Sequence, residues 1–151
     1  HNVSSAASDV YKRQGEASVL MTIQEMSTAV QYNLPIKIFI LNNEYMGMVR
    51  QWQELLHEKN YSESYTAALP DFVKLAEAYG CVVIRAKTPD ELDEKIKEMI
   101  NVNKPVIFDC LVDKEENCFP MIPSGKPHNQ MLLGPNDQKE NKITGKGKTL
   151  V

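Results

Sequence analysis

The chain has 151 residues, 17 Lys plus Arg against 20 Asp plus Glu for a formal charge of −3, and 42% hydrophobic residues. That length can bury a core, the mild acidity gives nucleic acid or an anionic membrane nothing to hold, and no apolar run approaches the roughly 20 residues that span a bilayer. Cys81, Cys110 and Cys118, an odd number without C-x-x-C spacing, support neither a disulfide framework nor a zinc knuckle, and a reduced cytoplasmic setting fits best.

The first fourteen residues, HNVSSAASDVYKRQ, have no apolar period and lack the basic start and apolar centre of a signal peptide. Ser4 to Gln14 is the in-frame translation of eleven codons of a common transposase-based sequencing adaptor. Residues 1–14 are therefore expected to be non-native, with the native chain starting at or near Gly15, inside a gene. From Thr22 to Tyr32, Ile23, Met26, Ala29 and Val30 recur at helical spacing, and Asn33 with Pro35 ends the helix. Ile36 to Leu41 (IKIFIL) is a buried strand. Tyr45 to Glu58 carries Met48, Trp52, Leu55 and Leu56 on one helical face, and a polar loop with Tyr61 and Tyr65 follows.

Pro70 and Asp71 open a third helix on Phe72, Leu75, Ala76 and Tyr79, stopped by Gly80. Cys81 to Ala86 is a short strand. Thr88-Pro89-Asp90-Glu91 starts a helix that runs to about Val102 on Leu92, Ile96, Met99 and Ile100. Pro105 to Val112 (PVIFDCLV) is a third strand, nearly all apolar. Strands alternating with helices imply an α/β fold, a parallel sheet with helices on both faces. Prolines and glycines break any period after Asp113, and residues 136–151 read as a flexible tail.

Gly15-Glu16-Ala17-Ser18, a small-residue turn before a helix, is suited to a phosphate. Asn42-Asn43 sits just past a strand, at the end where α/β sheets bind ligands. A carboxylate, an amide oxygen and a nearby backbone carbonyl, completed by diphosphate oxygens and water, would suit octahedral Mg²⁺. Each residue also has a duller role open to it. Glu16 is then a solvated surface carboxylate, Asn42-Asn43 a turn, Met46 and Met48 core filler, and Trp52 packing. His57 and His128 are isolated and receive no role, and Cys110 is an inert residue of a buried strand.

Gly15-Glu16-Ala17-Ser18 followed by Asn42-Asn43 resembles the thiamin diphosphate motif, G-D-[GA]-S and then N-N. MTIQEMSTAVQYNLPIKIFILNNEYMGMVRQWQELLHE, Tyr61-Ser62 and PDFVKLAEAYG are more specifically similar to the C-terminal region of the acetolactate synthase (acetohydroxyacid synthase) large subunit, from Gly15 to about Met131. The resemblance implies a thiamin diphosphate-binding fold, here the C-terminal pyrophosphate domain over residues 15–135 lacking the strand that should precede Gly15. It implies Mg²⁺ ligation by Glu16, where the family usually has Asp, by Asn43 and by the Tyr45 carbonyl. Gly15, Ala17 and Ser18 would line the diphosphate, Gly47 and Met48 would contact the cofactor, and Trp52 would shape the 2-ketoacid acceptor pocket.

In the resembled enzymes thiamin diphosphate supports decarboxylation of pyruvate and condensation with a second 2-ketoacid, pyruvate or 2-ketobutyrate, at the start of branched-chain amino acid synthesis. The family also implies FAD, a homodimer or homotetramer of full-length subunits and a small regulatory subunit. The activating glutamate belongs to a domain this stretch does not include, so the chain alone is expected to be inactive. Two other readings stay open: another thiamin diphosphate decarboxylase or carboligase such as glyoxylate carboligase, and a non-catalytic α/β binding module.

Overall fold

A computed structural model describes residues 11–66, 68–135 and 137. Nearly all of the expected tail and the first ten residues of the expected adaptor segment lie outside the described residues. The described residues divide into two compact units, one within 11–45 and 66–114, the other within 46–65 and 115–137.

Among the described residues the first unit holds a four-stranded, wholly parallel sheet in the order β1-β2-β4-β3. Its strands are β1 (Tyr11–Gly15), β2 (Lys37–Asn42), β3 (Val82–Ala86) and β4 (Val106–Leu111). Its helices are α1 (Glu16–Leu20), α2 (Glu25–Gln31), α4 (Phe72–Tyr79) and α5 (Leu92–Asn101). Apolar residues pack on both faces of the sheet. Ile38, Ile40 and Ile107 meet Val19, Met26 and Ala29 of the first two helices and Phe72 and Ala76 of α4. Val106, Phe108 and Cys110 meet Ile84, Ala86 and, from α5, Met99, Leu92 and Ile96. This alternation along β4, with Val106 to Asp109 all fully buried, is what a parallel strand covered on two sides requires. The expected α/β architecture is the one observed.

Three features depart from expectation. A strand does precede Gly15: Tyr11–Gly15 pairs along β2 from Tyr11↔Lys37 to Gly15↔Leu41. An edge strand needs only the backbone of one neighbour, and exposed Lys12 and Arg13 are tolerated there because charged side chains suit an open edge. Next, the helix expected over Thr22–Tyr32 is shorter, and α1 comes before it, beginning inside the Gly-Glu-Ala-Ser run. Met21 N–H to the Ser18 carbonyl, Glu25 N–H to Thr22 and Met26 N–H to Ile23 are tight three-residue closures that separate the two helices. Finally, the Thr88 hydroxyl donates to Glu91 Oε1 at 2.9 Å rather than capping backbone, and Pro89–Glu91 forms a 3₁₀ turn ahead of α5.

The expected stops hold. Asn33 ends α2 at φ 50 and Gly80 ends α4 at φ 79, the left-handed positions that favour these residues. Asp71 caps α4 by accepting from the Val73 N–H at 3.0 Å.

The second unit contains α3 (Gly47–Leu56) and the segment that follows residue 114. The expected apolar face of α3 is only partly covered: Met48 and Trp52 are exposed, as is the neighbouring Val49, and Leu55 and Leu56 are half-buried, while Arg50 and Gln51 are buried. The physical reason is hydrogen bonding. Arg50 donates to the Glu115 carbonyl at 2.8 Å and the Glu116 carbonyl at 3.2 Å, and pairs with Glu54 at 2.8 Å. Gln51 accepts from the Cys118 N–H at 2.8 Å and donates to its carbonyl at 3.0 Å. These two side chains satisfy an irregular segment that has no ladder of its own.

Two measurements check the first unit. Phe108, fully buried and stacked on Phe39 with ring centroids 4.5 Å apart, is expected to cost about 3–5 kcal/mol on Phe108→Ala in urea denaturation; a loss under about 1 kcal/mol contradicts that packing. Lys37, buried and donating to the Val102 and Lys104 carbonyls, has its pKa lowered by burial from the ordinary 10.5. Below that lowered value both states carry the charge and the burial cost is complete; between it and 10.5 the unfolded chain holds the proton that the folded chain releases. Stability therefore rises with pH across that window, and Lys37→Met is expected to flatten the rise.

Candidate functional site

The parallel pairing of β1 with β2, ending at Gly15↔Leu41, sets the carboxyl ends of the two strands side by side. Glu16, first residue of α1, leaves one of them, and Asn42-Asn43 leaves the other. Glu16 is 1% exposed, and its Oε1 has no hydrogen-bond partner among the described residues. That excludes the solvated surface carboxylate. Beyond β2 the chain reverses at Glu44, a non-glycine residue at φ 57, and the reversal brings Asn43 and the Tyr45 carbonyl back toward Glu16.

One end of the Asn43 amide lies 3.2 Å from Glu16 Oε2 and 2.9 Å from the Tyr45 carbonyl. With nitrogen at that end, the amide donates to both. With oxygen there it accepts the Tyr45 N–H at 3.3 Å, and a carboxylate, an amide oxygen and a main-chain carbonyl converge. Three hard oxygen donors with one formal charge are a fit for Mg²⁺, which keeps its remaining octahedral positions for phosphate oxygens and water. The unpartnered Glu16 Oε1 is the observation that favours this use, since a buried acceptor without a donor is costly until a proton or cation meets it. Burial raises the Glu16 pKa, and the nearby Glu44 charge pushes the same way, against the backbone N–H groups of Glu16 and Asn43 and the Thr66 hydroxyl. The extra methylene of Glu over Asp does not keep the carboxylate from the Asn43 amide.

Of the other expected residues, Gly15 has nothing within 4 Å of where a Cβ would stand, so its backbone faces open space. Ala17 is half-buried and Ser18 exposed in the first turn of α1. Gly47, Met48 and Trp52 belong to the second unit, where Val49, Trp52, Leu56 and His57 help line a groove of about 730 Å³. His57, given no role from the sequence, is thus one wall of a groove. Among the described residues no three His, Cys, Asp or Glu side chains cluster to hold a metal, and no helix is long and apolar enough to cross a membrane.

Sequence reasoning passed over two residues beside the site, Asp109 and Arg85. The signal was present: one aspartate inside PVIFDCLV, a strand read as nearly all apolar, is a charge that burial tolerates only with partners.

The family model "Thiamine pyrophosphate enzyme, C-terminal TPP binding domain" matches residues 3–110. The chain belongs to that family. Three relatives carry the similarity further. The chain is 45% identical over 128 residues to the acetolactate synthase large subunit of Haemophilus influenzae, covering 84% of this chain and 22% of that protein. It is 48% identical over 119 residues to the large subunit of Cyanidium caldarium, covering 78% and 20%. It is 43% identical over 127 residues to the acetolactate synthase isozyme 3 large subunit of Escherichia coli, covering 82% and 22%. The chain spans about a fifth of the length of these relatives. As a thiamine pyrophosphate-binding domain, it has its acceptor oxygens at the carboxyl end of a parallel sheet, where α/β folds take their ligands.

Glu16→Gln removes a buried charge that lacks a full set of donors. The cation-free chain is expected to melt about 3 °C higher while Mn²⁺ binding in the presence of thiamin diphosphate weakens at least tenfold. A Glu16→Gln chain that binds Mn²⁺ as tightly as the parent removes Glu16 from the site.

Proposed function

We propose that this chain is the cofactor-anchoring part of an acetolactate synthase large subunit, condensing pyruvate with a second 2-ketoacid, pyruvate or 2-ketobutyrate, with loss of carbon dioxide. The single observation that carries the reading is the buried Glu16 carboxylate facing the Asn43 amide and Tyr45 carbonyl, within a chain 43–48% identical to three such subunits. Glu16, Asn43 and the Tyr45 carbonyl hold Mg²⁺, and Gly15, Ala17 and Ser18 line the diphosphate. Gly47 and Met48 contact the cofactor, and Trp52 shapes the acceptor pocket. Thiamin diphosphate, when bound, supplies the electron sink for decarboxylation and two-carbon transfer. The protein's part is to neutralise the diphosphate through the metal and to fix its position.

The complete enzyme in this reading is a cytoplasmic homodimer or homotetramer of large subunits that also binds FAD and a small regulatory subunit, and it opens branched-chain amino acid synthesis. The 151-residue chain by itself anchors cofactor without forming acetolactate.

Calorimetric titration tests the reading. Thiamin diphosphate is expected to bind the chain only when Mg²⁺ is present, and Asn43→Ala is expected to weaken that binding at least tenfold. Absence of Mg²⁺-dependent binding overturns the cofactor assignment, and acetolactate formed by the chain from pyruvate overturns the assignment of turnover to the longer protein.

A further inference from the structure

Asp109 occupies the middle of β4 and is fully buried between Phe108 and Cys110. A carboxylate placed there needs partners on both oxygens. Oδ2 accepts from Arg85 Nε at 2.8 Å, and Oδ1 accepts from Asn42 Nδ2 at 3.0 Å. The register explains both. Arg85 stands directly opposite Asp109 on β3, and Ile40 stands opposite it on β2, so Asn42 is one side-chain repeat further along the same face. Arg85 also reaches Asp71, the cap of α4, at 2.9 Å.

The consequence runs outward through Asn42. With its nitrogen committed to Asp109, the Asn42 amide must turn its oxygen the other way, and that oxygen accepts the Glu44 N–H at 3.3 Å. Glu44 is the residue at φ 57, a conformation unfavourable for a side chain with a Cβ and kept only where surroundings over-determine it. The Thr66 N–H on the Glu44 carbonyl at 2.9 Å and Lys114 on the Glu44 carboxylate at 2.5 Å complete the hold. This reversal is what aims the Asn43 amide and the Tyr45 carbonyl at Glu16.

We infer that Asp109 is a positioning residue for the cation site, acting through the Asn42 amide on the Glu44 turn. The inference rests on the proposed cation reading of Glu16, Asn43 and Tyr45. Without the carboxylate at 109, the Asn42 amide loses the partner that fixes which end faces Glu44, and a flipped amide presents a donor to a donor. A buried Arg85–Asp109 ion pair serving only the fold is the competing account, and it ties cation affinity to stability.

The test uses the whole 151-residue chain, with Mn²⁺ as probe in the presence of thiamin diphosphate, free Mn²⁺ read by electron paramagnetic resonance and cation-free stability read by thermal unfolding. Asp109→Asn, which cannot accept from Asn42 and Arg85 together, is expected to raise the Mn²⁺ Kd about tenfold or more. Asn42→Ala keeps the Arg85–Asp109 pair, so it carries the test if Asp109→Asn fails to fold, and it is expected to lose affinity to the same extent. Arg85→Met leaves the Asn42–Asp109 bond in place; it is expected to lower the melting temperature with Kd unchanged within twofold. The inference is overturned if Asn42→Ala binds Mn²⁺ like the parent, or if Arg85→Met loses affinity in step with stability. A parent chain that binds no Mn²⁺ sinks the cation reading and this inference together, whereas a parent that binds while Asn42→Ala is unaffected sinks this inference alone.

Discussion

A carboxylate taken out of water asks for a proton, a donor on each oxygen, or a cation, and the carboxyl end of this sheet is organised around one that has an oxygen left over. Glu16 is buried with Oε1 unpartnered and Oε2 facing the Asn43 amide. The turn that faces it is built at some cost: Glu44 is left-handed, Asn42 is buried, and Asn42 is held by the fully buried Asp109. Costs accumulated at one place and supported from elsewhere in the fold are the usual mark of a site. The stabilisation comes from two separate apolar layers on the two faces of the sheet, one containing Val19, Met26 and Phe72 and the other Phe108 and Met99.

The network behind the site also explains why the sheet tolerates a charge in its most buried strand. Arg85 neutralises Asp109 from the neighbouring strand and extends to Asp71 at the start of α4, so the cap of a helix, three strands and the turn beyond β2 share one set of hydrogen bonds. Removing either end leaves a desolvated group, which is why such networks set geometry more than they add net stability. In the second unit polar groups do comparable work. Arg50 and Gln51 face inward to hold residues 115–118, and Met48, Val49 and Trp52 of α3 are left at the surface.

Much of this was legible in the residues. The β-branched run IKIFIL, the Gly80 stop and the Pro70-Asp71 opening each have one dominant physical meaning, and the parallel sheet follows from their alternation. The pairing of Glu16 with Asn43 was legible through the Gly-Glu-Ala-Ser and Asn-Asn motifs and through resemblance, because twenty-odd residues of chain separate them and no local period connects them. What the pattern could not carry was anything set by long-range hydrogen bonding. α3 reads as an amphipathic helix with its apolar side in, yet Arg50 is buried because carbonyls from residues 115 and 116 need a donor, and those carbonyls are invisible from position 50. The strand before Gly15 was not expected because residues 1–14 read as adaptor translation. YKRQG has no strand-like alternation, and its conformation is imposed by the open backbone edge of β2.

The central claim is that Glu16, Asn43 and the Tyr45 carbonyl form one cation site. Anomalous diffraction from crystals grown with Mn²⁺ and thiamin diphosphate tests it most directly. The account predicts a single strong peak at octahedral ligand distances, about 2.1 Å, from a Glu16 carboxylate oxygen, the Asn43 side-chain oxygen and the Tyr45 carbonyl. A peak elsewhere, or Asn43 donating its nitrogen to Glu16 with cofactor bound and no metal between them, contradicts it.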